Sequence, residues 1–300
     1  ILISTMKVTL PPLISLIRPY QWVKNLFVFM ALLFGGRLLD PSCWLPVTVA
    51  AICFCLCSSA IYCLNDIIDA PYDRLDPSKC RRPIASGAIS VAAAATTGSV
   101  LALAAILVSI FMLPLSGTVI LLIYLVLNVL YCIRLKNIPL VDVIIVALGF
   151  VLRVVIGGVV ASIWLSQWIV IMVFLLALFL ALAKRRHEVI LVLTREKERG
   201  RRSVDGYNVA FLDMALCLLG AVTVIGYILY TLQARTIEQF HTEYLYITAL
   251  PVLVGILRYL QLTVVDNSTG DPSRVAYTDV PLRITVAVWL LLFVAIIYLF

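Results

Sequence analysis

Hydrophobic residues in this chain come in long unbroken blocks, not in strict alternation. Blocks close to the 20 or so apolar residues that cross a bilayer as a helix lie near 22–39, 44–64, 90–112, 116–133, 138–161, 166–183, 208–233, 243–262 and 280–299. Polar sequence is confined to the gaps. Those at 65–89, 184–207 and 263–279 are long, and they alternate with short turns. A transmembrane barrel would show strands of about ten residues with every second one polar. The pattern predicts instead an all-α integral membrane protein, a bundle of nine transmembrane helices built as one polytopic domain over 1–300.

Composition tightens this reading. Of the 300 residues, 63% are hydrophobic and 13% charged, and nine spans with their loops leave little length for a separate soluble domain. The net charge of +7 is distributed unevenly. Lys and Arg crowd before the first block, in 65–89, after the fourth block, in 184–207 and around the eighth connection, while only Arg37 and Arg235 fall on the other side. Positive residues stay on the cytosolic side, so the N-terminus is expected inside and, after an odd number of spans, the C-terminus outside. The resulting one-sided field suits anionic partners, lipid headgroups among them; nothing points to nucleic acid. Residues 1–12 lack a signal-peptide pattern, and with Ile1 first and Met6 a candidate start, no function is assigned to them.

Cysteine chemistry is not expected. Cys53, Cys55 and Cys57 alternate along one helix and point around it instead of at one ion, and the eight cysteines include no Cys-x-x-Cys pair. They read as small apolar packing residues. His187 has basic neighbours and His241 lies on the opposite side, so neither is read as a catalytic base.

Chemistry concentrates where the second block ends. If its helix continues, Asp66, Asp69 and Asp73 fall at i, i+3 and i+7 on one face with Asn65 beside them, although Pro71 could break it. Acids at a helix C-terminus oppose the macrodipole, which argues for function over stability. Hard oxygen donors without His or Cys favour Mg²⁺ bridging carboxylates to substrate phosphates. Lys79, Arg81 and Arg82 follow within ten residues. Carboxylates for a metal and cations for phosphate together are what diphosphate chemistry requires. A second anomaly is Arg153, inside the fifth block. A mid-membrane charge costs about 2.5–3.5 kcal/mol on insertion scales, so Arg153 is expected to face a cavity, with Asp142 on nearly the same helical face. Gly157 and Gly158 are read as sites of close helix approach.

NDIIDAPYDRLDPSKCRRPIASG at 65–87, YCIRLKNIP at 131–139 and LIRPYQWVKN at 16–25 resemble the UbiA superfamily of intramembrane prenyltransferases. With VDVIIVALGFVLRVVIGGVVA at 141–161 and LFLALAKRRHE at 178–188, they look like the branch that transfers phosphoribosyl groups to polyprenyl phosphates. The likeness covers nearly the whole chain. Prenyl-transferring members carry a second aspartate-rich motif after span six, where this chain has Lys184, Arg185, Arg186, His187 and Glu188. That departure favours phosphoribosyl transfer over aromatic prenylation. A smaller one is Cys80, where the branch often has a basic residue; Arg81 stands next to it.

The resemblance implies a UbiA-like bundle in the bacterial inner membrane, with a central cavity open to the cytosolic face. It implies Mg²⁺, the donor 5-phosphoribosyl 1-diphosphate and the acceptor polyprenyl phosphate, made for cell-wall biosynthesis; a homo-oligomer is left open. Asp66, Asp69 and Asp73, with Asn65, would form the metal and diphosphate end. Lys79 and Arg82 would contact phosphate. Lys24, Tyr131, Lys136, Asp142, Arg153, Lys184, Arg185 and Glu188 complete the expected substrate-binding set. The run at 195–202 is read as solvated and topological, and the turn signal at Gly270, Asp271 and Pro272 receives no role. Two rivals remain: a UbiA-type enzyme moving a prenyl group from a prenyl diphosphate to an aromatic acceptor, and a transporter of phosphorylated lipids.

Overall fold

Among the described residues, eight of the apolar blocks become helices long and apolar enough to cross a membrane. The computed structural model describes residues 11–77, 79–194, 202–267, 269–270, 275 and 277–299, and these contain no strand. Lys7, the basic run up to Arg201 and residues 271–274 lie outside the described residues. The α-helices are α1 (Pro12–Ile17), α2 (Met30–Phe34), α3 (Pro41–Asp73), α4 (Val91–Met112), α5 (Leu115–Ile133), α6 (Val141–Val160), α7 (Gln167–Leu193), α8 (Val209–Leu232), α9 (Ala234–Phe240), α10 (Ala249–Val264) and α11 (Val280–Leu299).

The first apolar block departs from expectation. Instead of one α-helix over 22–39, it forms a 3₁₀-helix, Pro19–Phe29, that passes into α2. A 3₁₀-helix stacks every third residue on one side, and Trp22 and Asn25 have that spacing. Trp22 Nε1 donates to Ser59 Oγ at 3.0 Å, and Asn25 Nδ2 donates to Cys55 Sγ at 3.2 Å and Ser58 Oγ at 3.4 Å. Asn25 is buried, so its amide needs those partners. The tighter winding meets that need at every third residue. At about 2.0 Å and 1.5 Å of rise per residue, the two segments have a contour of about 30 Å, roughly one hydrocarbon core.

Two helices outrun their apolar blocks. α3 continues unbroken through Pro71 to Asp73, and α7 continues through 184–188 to Leu193. At about 1.5 Å per residue they measure about 50 Å and 40 Å, beyond the thickness of the hydrocarbon. Hydropathy marks where lipid contact stops, whereas backbone hydrogen bonding carries the helix on into the polar sequence.

Packing of the described residues falls into two units, one within 1–26 and 48–133, the other within 27–47 and 134–300. In the first, Leu16, Cys63, Ala70, Ile84 and Ala94 form a core, and Gly98 of α4 lets its helix approach Cys63 and the Ala60 carbonyl of α3. In the second, Phe179, Leu182, Leu212, Leu216 and Tyr259 pack among α7, α8 and α10, and Phe34, Ile169, Tyr230 and Phe293 form a further cluster. Gly157 of α6 lies against the Val28 carbonyl and Ala31 Cβ, so a methyl group there has no room. Overpacking of this kind costs about 1–3 kcal/mol. Gly157→Ala should therefore lower the thermal midpoint of the detergent-solubilised protein, read by circular dichroism; an unchanged midpoint would show that the backbone there gives way.

Candidate active site

The helical continuation of α3 decides the geometry of the acidic motif. With no break at Pro71, Asp66, Asp69 and Asp73 share one face. Asp66 and Asp73 are buried and Asp69 is half-buried. Downstream, the chain turns back through successive short hydrogen bonds, Lys79 N to Asp76 O at 2.9 Å, Arg82 N to Lys79 O at 2.9 Å and Ile89 N to Pro83 O at 3.0 Å. Ile84 anchors this turn in the core, and Gly87 closes it at φ +79, a conformation that glycine adopts without steric cost. The turn brings Arg82 back over the acids it follows in sequence.

One nitrogen, Arg82 Nη1, then lies 2.6 Å from Asp73 Oδ2 and 3.3 Å from Asp66 Oδ1. Lys79 Nζ sits 3.9 Å from Asp73 and 3.6 Å from Asp76. Asn65 Nδ2 donates to Asp69 Oδ2 at 3.0 Å. A further cation enters from far away in sequence. Arg18 Nη2 lies 2.5 Å from Asp66 Oδ1, and its guanidinium lies 5.0 Å from the centre of the Tyr62 ring. Burial works against the charge on Arg18, but the Asp66 carboxylate more than offsets it and holds the pKa above its ordinary value. Asp66 Oδ2, also buried, has no partner among the described residues. Lys24 and Tyr131, the remaining expected residues of this unit, are half-buried on the 3₁₀-helix and the last turn of α5.

A second polar cluster is built within the other unit. Asp142, in the first turn of α6, is fully buried. It accepts from Arg185 Nε at 2.7 Å and from the Tyr207 hydroxyl at 3.0 Å, while Leu140 N donates to that hydroxyl at 2.6 Å. Burial first, then the Asp142 charge, pushes the Tyr207 phenol up to about 12, so it remains a donor at neutral pH. Arg185 also pairs with Glu188. Arg186, one residue on, turns to other elements: Nε to Asp213 Oδ1 at 2.5 Å, Nη1 to Thr263 O at 2.7 Å and to Asn267 Oδ1 at 2.7 Å.

Arg153 does not join Asp142. Eleven residues of helix separate them by about 16 Å, and Arg153 donates to the Gly149 carbonyl at 2.7 Å, 5.3 Å from the Phe150 ring centre. Lys136 is buried in a short 3₁₀ turn, Leu135–Asn137, and Lys184 is exposed on α7.

Residues 25–189, more than half of the chain, match the UbiA prenyltransferase family. The chain belongs to that family. It is 32% identical over 292 residues to the decaprenyl-phosphate phosphoribosyltransferase of Corynebacterium glutamicum, covering 96% of this chain and 87% of that protein. The enzyme of the same name from Mycolicibacterium smegmatis is 31% identical over 288 residues, covering 93% and 90%. Among solved structures, the UbiA homolog from Archaeoglobus fulgidus bound to GPP and Mg²⁺ superposes with a TM-score of 0.73 at 20% identity, covering 95% of this chain and 99% of that one. The same homolog bound to DMAPP and Mg²⁺ gives 0.72 at 19% identity, covering 96% and 100%.

This UbiA-family chain presents only hard oxygen donors at the acidic face. Among the described residues, no three His, Cys, Asp or Glu side chains already converge as a ligand shell. Two observations nevertheless fit a small divalent cation. Oxygens of Asp66 and Asp73 both reach one positively charged nitrogen of Arg82, and Asp66 Oδ2 is buried without a partner among the described residues, a state that costs free energy unless something fills it. Sequence reasoning found the acids and Arg82 but treated Arg18 as a topology charge. Arg186 is legible only as part of the basic stretch at 184–188, and no local motif marks Tyr207 or Asp213.

Proposed function

We propose that this UbiA-family transferase moves a 5-phosphoribosyl group from 5-phosphoribosyl 1-diphosphate to the phosphate of a polyprenyl phosphate in the membrane, releasing diphosphate. The observation that carries this reading is the arrangement at the end of α3, where buried carboxylates and Arg18, Lys79 and Arg82 occupy one face. The relatives named as decaprenyl-phosphate phosphoribosyltransferases, matched over most of their length, support this choice of substrates. So does α7, which carries Lys184, Arg185 and Arg186 where prenyl-transferring members have their second acidic motif.

In the proposed reaction an acceptor phosphate oxygen bonds to C1 of the ribose as the C1–O bond to diphosphate breaks, with inversion at that carbon. The transition state resembles an oxocarbenium ion, so the protein's task is to neutralise the leaving diphosphate and hold two mutually repelling anions in line. No covalent nucleophile is needed. Asn65, Asp66, Asp69 and Asp73 would hold Mg²⁺, which supplies charge neutralisation to the leaving diphosphate. Lys79 and Arg82 bind phosphate oxygens, the guanidinium in bidentate fashion and the ammonium as a point charge. Lys24 and Tyr131 in the first unit, and Lys136, Asp142, Arg153, Lys184, Arg185 and Glu188 in the second, are each proposed for substrate binding.

Purified protein incubated with labelled 5-phosphoribosyl 1-diphosphate, polyprenyl phosphate and Mg²⁺ should yield labelled lipid. EDTA should reduce labelling to background and added Mg²⁺ restore it, as expected where a metal supplies several kcal/mol of charge stabilisation. Transfer of a prenyl group to an aromatic acceptor, with no labelled phosphoribosyl lipid, would decide against the proposal.

A further inference from the structure

The least expected contact at the acidic face is that of Arg18, 48 residues before its partner Asp66. The chain adopts an unfavourable conformation there. α1 ends at Ile17, and Arg18 takes a left-handed backbone, φ 51 and ψ 60, which L side chains with a Cβ rarely adopt. Pro19 then opens the 3₁₀-helix. Ser59 Oγ donates to the Ile17 carbonyl at 2.7 Å and fixes this corner against α3. The guanidinium is half-buried, over Tyr62, and addresses only one oxygen of Asp66. A topology charge would need none of this positioning.

Charge defines what the contact does. Asp66 Oδ1 receives both Arg18 and Arg82, while Asp66 Oδ2 is buried and has no partner among the described residues. Four carboxylates, Asp66, Asp69, Asp73 and, beside Lys79, Asp76, thus stand with three cations, Arg18, Lys79 and Arg82, so the set has no surplus positive charge. Such a set binds an anion weakly, because its cations are already engaged. A divalent cation taken up by the carboxylates would displace the guanidinium groups and leave them free for an anion.

The geometry points to Arg18 as an anion-binding residue held in reserve by Asp66, released toward a diphosphate when the carboxylate is neutralised by a metal. This rests on the proposed phosphoribosyl transfer for the identity of the anion, but it concerns this chain's own residues. It also makes a prediction that involves neither turnover nor metal. Asp66→Asn removes the charge that holds Arg18 and Arg82, so inorganic diphosphate should bind the metal-free Asp66→Asn protein about tenfold more tightly than wild type, the scale of one charge-assisted hydrogen bond.

The test is isothermal titration of the purified protein in EDTA with inorganic diphosphate, for wild type, Asp66→Asn, Arg18→Gln and the double variant. The inference expects a gain for Asp66→Asn that disappears in Asp66→Asn/Arg18→Gln. A gain that survives in the double variant assigns the effect to Arg82 alone and overturns the inference; so does the absence of any gain. If Arg18→Gln fails to fold, Arg18→Lys in the Asp66→Asn background replaces it. The ammonium lacks the planar fork, so at least half of the gain, on a logarithmic scale, should be lost; full retention overturns the inference. Failure of the proposed function would be seen separately, as wild type that binds diphosphate and Mn²⁺ yet labels no lipid with phosphoribosyl.

Discussion

Asp73→Asn is expected to lower phosphoribosyl transfer by about 10²–10³-fold while leaving the protein folded. The magnitude follows from the several kcal/mol of charge stabilisation that a metal site supplies at 1.36 kcal/mol per factor of ten. Asp73 lies buried at the end of α3, with Arg82 at 2.6 Å and Lys79 at 3.9 Å. The amide keeps the shape of the side chain but withdraws the charge from a proposed metal ligand and from both cations. Two losses are therefore expected together: weaker Mn²⁺ binding, read by paramagnetic resonance, and slower labelling of lipid at saturating donor. Asp76→Asn is the internal control. Asp76 lies 3.6 Å from Lys79 Nζ, on a partly exposed surface where an ion pair contributes little, so its effect should stay within a few-fold. Equal losses in the two variants would remove the basis for assigning metal to the α3 face.

The sequence made the α3 face legible because helical periodicity is local: three aspartates at i, i+3 and i+7 need only an unbroken helix to align, and α3 is unbroken through Asp73. Arg82 was legible for the same reason, being nine residues from Asp73. Arg18 was not. Its distance from Asp66 in sequence, and the left-handed corner that directs it there, leave no periodic trace. The 3₁₀ winding of Pro19–Phe29 was also hidden, since hydropathy measures how apolar a segment is and not how tightly it winds. What selects the winding is the match of Trp22 and Asn25 to Ser59, Ser58 and Cys55, side chains on a different helix. Similarly, Asp142 looked like a companion to Arg153 on one helix face, whereas its partners are Arg185, 43 residues on, and Tyr207.

The Asp142–Arg185 pair carries the largest stability effect expected in the second unit. Arg185→Met alone should destabilise the protein by about 3–5 kcal/mol, because removing one partner of a buried ion pair leaves the other charge uncompensated. Asp142 has no exposure to water, and its remaining donor, the Tyr207 hydroxyl at 3.0 Å, satisfies one oxygen without neutralising the charge. The phenol cannot supply more, since burial holds it protonated up to about 12. Arg185→Met/Asp142→Leu should recover most of the loss, as buried pairs replaced by apolar residues of similar volume are often neutral or stabilising. Thermal unfolding in detergent reads both values, and the non-additivity of the cycle isolates the pair. Transfer activity then separates structure from chemistry. If Arg185 binds or orients the donor, the stable double variant should bind 5-phosphoribosyl 1-diphosphate at least tenfold more weakly; if the pair only holds α6 against α7, the double variant should retain wild-type affinity and rate. A double variant no more stable than Arg185→Met would instead show that the polar network, through Glu188 and Tyr207, depends on Arg185 as its hub.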